Sequence, residues 1–303
     1  MTATEDHIRV GAPTVEVVEV EVDGVAISAR VVRVPRPRAV IVALHGGATT
    51  SVYFDCPGHP ELSLLRAAAE FGFSVVALDR PGYGASAPIA TLLTDPHHRL
   101  DLVLAAVDRL VAPHPTGAGL FVLAHSVGSE MGLRMAATDR AANLLGLSLS
   151  GTGREQQPRA RTVLATGGPG KPPRGVFGLI WEPSRLYPPD VLGGARIASP
   201  TPDFEGETVR RWPAENFPAL ARRVRVPVQF LAAEHERVWR ADAGALDDIA
   251  DLFTAAPEVR VGTVLDSGHN ISVGNTARAY HLSVLEYVEH CIARRTKGSS
   301  HAR

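Results

Sequence analysis

Ser126 stands in the run Leu120-Phe121-Val122-Leu123-Ala124-His125-Ser126-Val127-Gly128, where an apolar strand pattern passes directly into a helical one. A serine on such a bend has a strained backbone that lifts its hydroxyl above the sheet, and the positions two before and two after it must be small. Ala124 and Gly128 meet that demand. The common form of the turn has glycine at both places, so Ala124 is a mild departure. A hydroxyl presented in this way can attack a carbonyl carbon, provided a base lies within hydrogen-bond reach to take its proton.

The elements that must position this serine are legible on both sides of it. Val15 to Val22 and Val25 to Val34 alternate apolar and polar residues around Asp23-Gly24, a strong hairpin signal. Ala39 to Leu44 is a continuous β-branched run of the kind buried on both faces of a parallel sheet. Further strands are predicted at Ser74 to Leu78, Leu120 to Leu123 and Leu144 to Leu149, with helices at Glu61 to Phe71, Leu100 to Val111 and Val127 to Thr138. The segment from Gly151 to about Pro218 breaks the alternation: it is rich in Pro, Gly and Arg, carries Phe177, Trp181, Tyr187 and Trp212, and is too long for a connecting loop. Strand and helix patterns then resume at Val226 to Ala232, Ala241 to Ala255, Val259 to Leu265 and Thr276 to Ala293, followed by a tail expected to fray. The expected fold is α/β, a doubly wound and mostly parallel sheet built from residues 1–150 and 219–303, with residues 151–218 inserted as a cap.

Functional groups in open α/β sheets gather at the carboxyl ends of the strands. There the chain delivers His45-Gly46-Gly47-Ala48, then Asp79-Arg80-Pro81-Gly82-Tyr83-Gly84, then Ser126, then Glu234-His235-Glu236, and last Asp266-Ser267-Gly268-His269-Asn270. A serine, an acid and a histidine in that chain order resemble the α/β-hydrolase fold superfamily, from about Val15 to Ala293 apart from the cap. The resemblance implies that Ser126 is a nucleophile, that His269 is its general base, and that an acid following the strand ending near Ala232 orients the imidazole. That acid commonly closes a Gly-x-x-Asp pattern, and Ala233-Glu234-His235-Glu236 aligns Glu236 with it. Glu234 is the rival, and Asp266, on the histidine's own loop, a weaker one. Charge developing on a substrate oxygen needs backbone donors. The amide of Val127 is one, and Gly47 is expected to give the other, with Ala48 as alternative. Tyr53, Trp181 and Trp239 are expected, with Ala48, to wall a substrate pocket, and the cap aromatics could equally form the cap's own core.

The remaining features mostly exclude. The chain has 303 residues, 45% hydrophobic and 21% charged, and a formal net charge of -1, which gives no reason to expect nucleic acid or an acidic membrane as a partner. Met1 to Val10 lack an apolar run of signal-peptide length, so a cytoplasmic location is the default expectation. Cys56 and Cys291 are expected as free thiols. Gly82-x-Gly84-x-x-Ala87 superficially fits a dinucleotide fingerprint, but Pro81 and Pro88 leave no helix start for a pyrophosphate. Gly170-Lys171 lacks the flanking residues of a phosphate loop, and His97-His98 lacks the spacing of a metal site. No cofactor and no metal are expected. Together these residues point to a serine hydrolase acting on a small-molecule ester or thioester, with a homodimer left open. Lactonase, C-C bond hydrolase, aminopeptidase and acyltransferase chemistry are the alternatives on the same fold, and a non-catalytic binding protein is the alternative from another class.

Overall fold

A computed structural model describes residues 14–168 and 172–301 of the chain. The expectations for Met1 to Val10 and for Gly170-Lys171 lie outside these residues. Eight strands form one sheet in the order β1-β2-β4-β3-β5-β6-β7-β8, with β1 at Glu16–Val22, β2 at Val25–Val32, β3 at Val40–Leu44, β4 at Ser74–Leu78, β5 at Leu120–His125, β6 at Leu144–Ser150, β7 at Val228–Ala233 and β8 at Val259–Val264. The hairpin closes at Val22 opposite Val25, where Asp23 and Gly24 both take positive φ, 50° and 78°. That pair of left-handed residues matches the twist of the strands they join. β2 then lies antiparallel to β4, and every later pairing is parallel.

Parallel strands require crossovers, and helices supply them: α1 at Leu64–Glu70, α2 at Pro96–Val111, α3 at Gly128–Ala136, then α8 at Ala243–Ala250, while α9 at Ala277–His301 follows the last strand. Side chains alternate between the two faces of the sheet, and β3 shows both being filled. Val40, Val42 and Leu44 pack with α2 and α3, whereas Ile41 and Ala43 pack with α1 and α9. The unbroken apolar runs of β3 and β4 therefore report covered faces, as expected.

Between β6 and β7 the chain leaves the sheet and forms α4 at Pro158–Leu164, α5 at Phe177–Ile180, α6 at Phe204–Arg211, a π-helical turn over Trp212–Asn216 and α7 at Phe217–Ala221. The boundary expected at residue 218 falls inside α7, whose Phe217, Leu220 and Ala221 are buried in the cluster beneath the sheet. Two other boundaries move. α2 starts at Pro96 rather than Leu100, because Asp95 caps it by accepting the His97 amide and Pro96 fits a first turn. The C-terminal segment continues as helix to His301, past the frayed end expected from residue 294. Cys56 and Cys291 are free and buried, and burial pushes their thiols up to about 11 and about 12. Among the described residues no helix is long and apolar enough to cross a membrane.

Candidate active site

Ser126 takes φ 52° at the end of β5, a left-handed conformation that a serine adopts only when its surroundings impose it. Two constraints do so here. The Ser126 amide donates to Ser150 O of β6 at 2.8 Å, and Gly128 opens α3 so close to β3 that a Cβ there would strike the carbonyl oxygens of His45 and Leu44. Ala124 is accommodated one helical turn further on. A Cβ at Gly132 would lie 2.7 Å from the Ala124 methyl, so the glycine missing at 124 is present at 132 instead.

His269 comes from the loop after β8 and is buried, while Ser126 remains half-buried. Its Nε2 lies 3.1 Å from Ser126 Oγ, and its Nδ1 lies 3.0 Å from both carboxylate oxygens of Glu236. A carboxylate can only accept, so Nδ1 carries the proton and Nε2 turns its lone pair to the serine. Glu236 follows β7 and is fixed by the Val238 amide, which donates to Oε1 at 2.8 Å. Burial alone would raise its carboxyl; the His269 ring and the Val238 and Trp239 amides outweigh that and hold it below the ordinary range. Such a chain can draw a proton from a hydroxyl onto an imidazole and stabilise the imidazolium that results.

The rival acids stand elsewhere. Glu234 is exposed and accepts the Asp266 amide at 2.7 Å, tying the acid loop to the histidine loop without reaching the ring. With His235 and Asp266 it brings three potential metal-ligand atoms within 4.8 Å of one another at the surface. His45 and His125 are fully buried, and burial lowers the pKa of both. His125 Nδ1 meets Ser150 Oγ at 3.1 Å.

Gly47 and Val127 are half-buried neighbours: a Cβ at Gly47 would lie 3.5 Å from the Val127 side chain. Among the described residues neither amide has a hydrogen-bond acceptor. Three expectations about the pocket wall need correction, and one about the oxyanion donors. The Ala48 amide already donates to the Tyr83 hydroxyl at 3.1 Å, so it is spoken for, although the residue itself is exposed. Tyr53 has no exposed surface; it stacks on His125 at 4.7 Å and its hydroxyl accepts the Ser272 amide, which makes it support beneath the site. Trp181 is only 6% exposed and packs edge-on to Tyr187. Trp239 is only 7% exposed, lies against Gly153 and donates its indole N–H to Gly151 O at 3.0 Å. Both indoles are thus almost wholly enclosed by packing.

Glu205 escapes sequence reasoning altogether. It lies on α6, yet its buried carboxylate reaches Arg80 and Tyr83 beside Gly47. Nothing local in a glutamate near the start of a short polar helix signals a partner 125 residues away.

Known proteins share this fold. Among solved structures, the chain is similar to a highly thermostable carboxyl esterase from Bacillus coagulans, with 17% identity over 92% of this chain and 99% of that one and a TM-score of 0.62. It is likewise similar to the thioesterase domain from the curacin biosynthetic pathway, at 18% identity over 90% and 99% with a TM-score of 0.58. An N-acyl homoserine lactonase matches at 17% identity over 92% and 98%, with a TM-score of 0.63. At such identities the likeness speaks for the fold alone. A search of curated proteins by sequence finds no match. The sequence model of the alpha/beta hydrolase family, however, matches residues 41–279, from β3 into α9 and through the serine, glutamate and histidine just described, and the chain belongs to that family.

Proposed function

We propose that the protein is a serine hydrolase that cleaves a small-molecule ester or thioester through an acyl-enzyme on Ser126. The observation that carries this reading is the unbroken contact chain Ser126 Oγ, His269 Nε2, His269 Nδ1, Glu236 carboxylate, each link at 3.0 or 3.1 Å. As Ser126 Oγ bonds to the acyl carbon, His269 takes the hydroxyl proton and then returns it to the departing alkoxide or thiolate. Water repeats the sequence on the acyl-enzyme and releases the acid. Glu236 keeps the ring in the reactive tautomer and offsets its charge. The amides of Val127 and Gly47 serve as donors to the oxyanion, a task in which each donor contributes about 10²–10³ in rate. The segment between β6 and β7 acts as a cap that selects the acyl group. Neither step needs a cofactor.

A panel of aryl esters, acyl thioesters, lactones and peptide anilides, assayed with the wild type and with Ser126→Ala, tests the proposal. Ester or thioester turnover that vanishes in Ser126→Ala is the expected outcome. Turnover confined to anilides, or no turnover in folded protein, contradicts it.

A further inference from the structure

One carboxylate of the cap reaches the loop that would face the oxyanion. Glu205 is 3% exposed and accepts two hydrogen bonds from the core: Arg80 Nη2 at 2.6 Å on Oε1 and the Tyr83 hydroxyl at 2.8 Å on Oε2. Each donor in turn grips residues 45–48. Arg80 donates Nε to His45 O at 2.7 Å and Nη2 to Gly46 O at 2.9 Å. His45 adds a second donor to Gly46 O through Nδ1 at 2.7 Å, a tautomer fixed because its Nε2 accepts the Arg80 amide. From the other side, Tyr83 accepts the Ala48 amide.

This arrangement has a directional consequence. The peptide joining Gly46 to Gly47 is planar and trans, so its C=O and N–H point opposite ways. Holding Gly46 O against Arg80 and His45 turns the Gly47 N–H away from them. Gly47 has no side chain for a steric reason as well: a Cβ there would lie 2.9 Å from Glu205 Oε2.

The start of α6 is set down firmly. Phe204, the neighbour of Glu205, lies 4.1 Å from the guanidinium of the buried Arg99, and its ring closes on Gly82. The charge on Glu205 does not oppose an oxyanion, because Arg80 balances it. Burial and the adjacent Glu205 raise the Tyr83 hydroxyl, which therefore stays protonated and donating.

We propose that Glu205 is a positioning residue: by holding Arg80 and Tyr83 together it couples the seating of the cap to the orientation of the Gly47 amide, so that the site is complete only with the cap in place. This rests on the serine hydrolase reading given above. A cap that lifts removes the shared partner of both grips and leaves the Arg80 cation without its carboxylate.

The test compares Glu205→Gln and Tyr83→Phe with Asp190→Asn, which removes a cap contact at another foot, where Asp190 holds His59 and Arg196, and leaves the Glu205 contacts in place. Readouts are kcat and KM on a short aryl ester and the inhibition constant of a trifluoromethyl ketone, whose serine adduct carries an oxyanion. Both site variants are expected to lower kcat about 10-fold or more and to weaken the ketone by a similar factor, with KM changed by less than about threefold. Asp190→Asn should leave ketone affinity at the wild-type value. Should Glu205→Gln not fold, Tyr83→Phe carries the test, since it removes a single oxygen. Folded site variants that keep kcat and ketone affinity overturn the inference, as does an equal loss in Asp190→Asn. A wild type without ester turnover instead overturns the functional reading beneath it.

Discussion

Glu236 and Glu234 are two positions apart and chemically identical, and only their surroundings separate them. Glu236 points inward to the His269 ring, and Glu234 outward to a backbone amide of the neighbouring loop. Glu236→Gln is therefore expected to lower kcat by about 10²–10⁴ in steady-state assays, since an amide can hold the ring in the wrong tautomer and offers no charge to the imidazolium. Glu234→Gln should stay within about threefold of wild type. The depressed carboxyl of Glu236 also has a stability signature. Its contribution is fully present above the unfolded carboxyl value of about 4.3 and is lost as pH falls through the lower folded value. Melting temperature measured from pH 7 downward should thus hold to about pH 5 and fall more steeply below about pH 4 in wild type than in Glu236→Gln. The site's serine and histidine were legible because a strained turn and a strand end leave local marks. The choice of Glu236 over Glu234 came from the family resemblance and not from local pattern, because direction off a loop depends on a partner strand.

At the level of elements, the turn carrying Ser126 depends on α3 lying almost against β5 and β3. Gly132→Ala would bring a methyl to 2.7 Å from that of Ala124. Urea unfolding should show a loss of about 1–3 kcal/mol, the usual consequence of overpacking. Adding Ala124→Gly to that variant should recover part of the loss, which identifies the two methyls as the clash. The strands were read from sequence nearly to the residue where they are buried on both faces, as for Ser74 to Leu78, because a short apolar run bounded by turns fits few elements besides a covered strand. Helix ends were read less well. The four residues missed at the start of α2 are a proline, two exposed histidines and the buried Arg99, none of which continues an apolar period, so Asp95 and Pro96 rather than periodicity carry the signal.

Across the whole molecule, the sheet places at one edge groups supplied by residues 126, 236 and 269, and the segment between β6 and β7 packs onto that edge. How that segment is spent could not be read in advance. Its aromatic residues suggested a pocket wall, yet Trp181 is almost wholly enclosed, and long-range contacts of this kind leave no periodic trace. Trp181→Ala should accordingly cost about 3–5 kcal/mol of unfolding free energy in a urea titration, the loss expected for a buried indole. Everything proposed for the molecule depends on the hydroxyl of Ser126 being an activated nucleophile. Intact-mass and peptide mass spectrometry after exposure to a fluorophosphonate measures that directly. One phosphonyl adduct, mapped to Ser126, absent from Ser126→Ala and formed far more slowly in His269→Ala, is the expected result. Folded wild-type protein that stays unmodified, or that is modified at another serine, would contradict it.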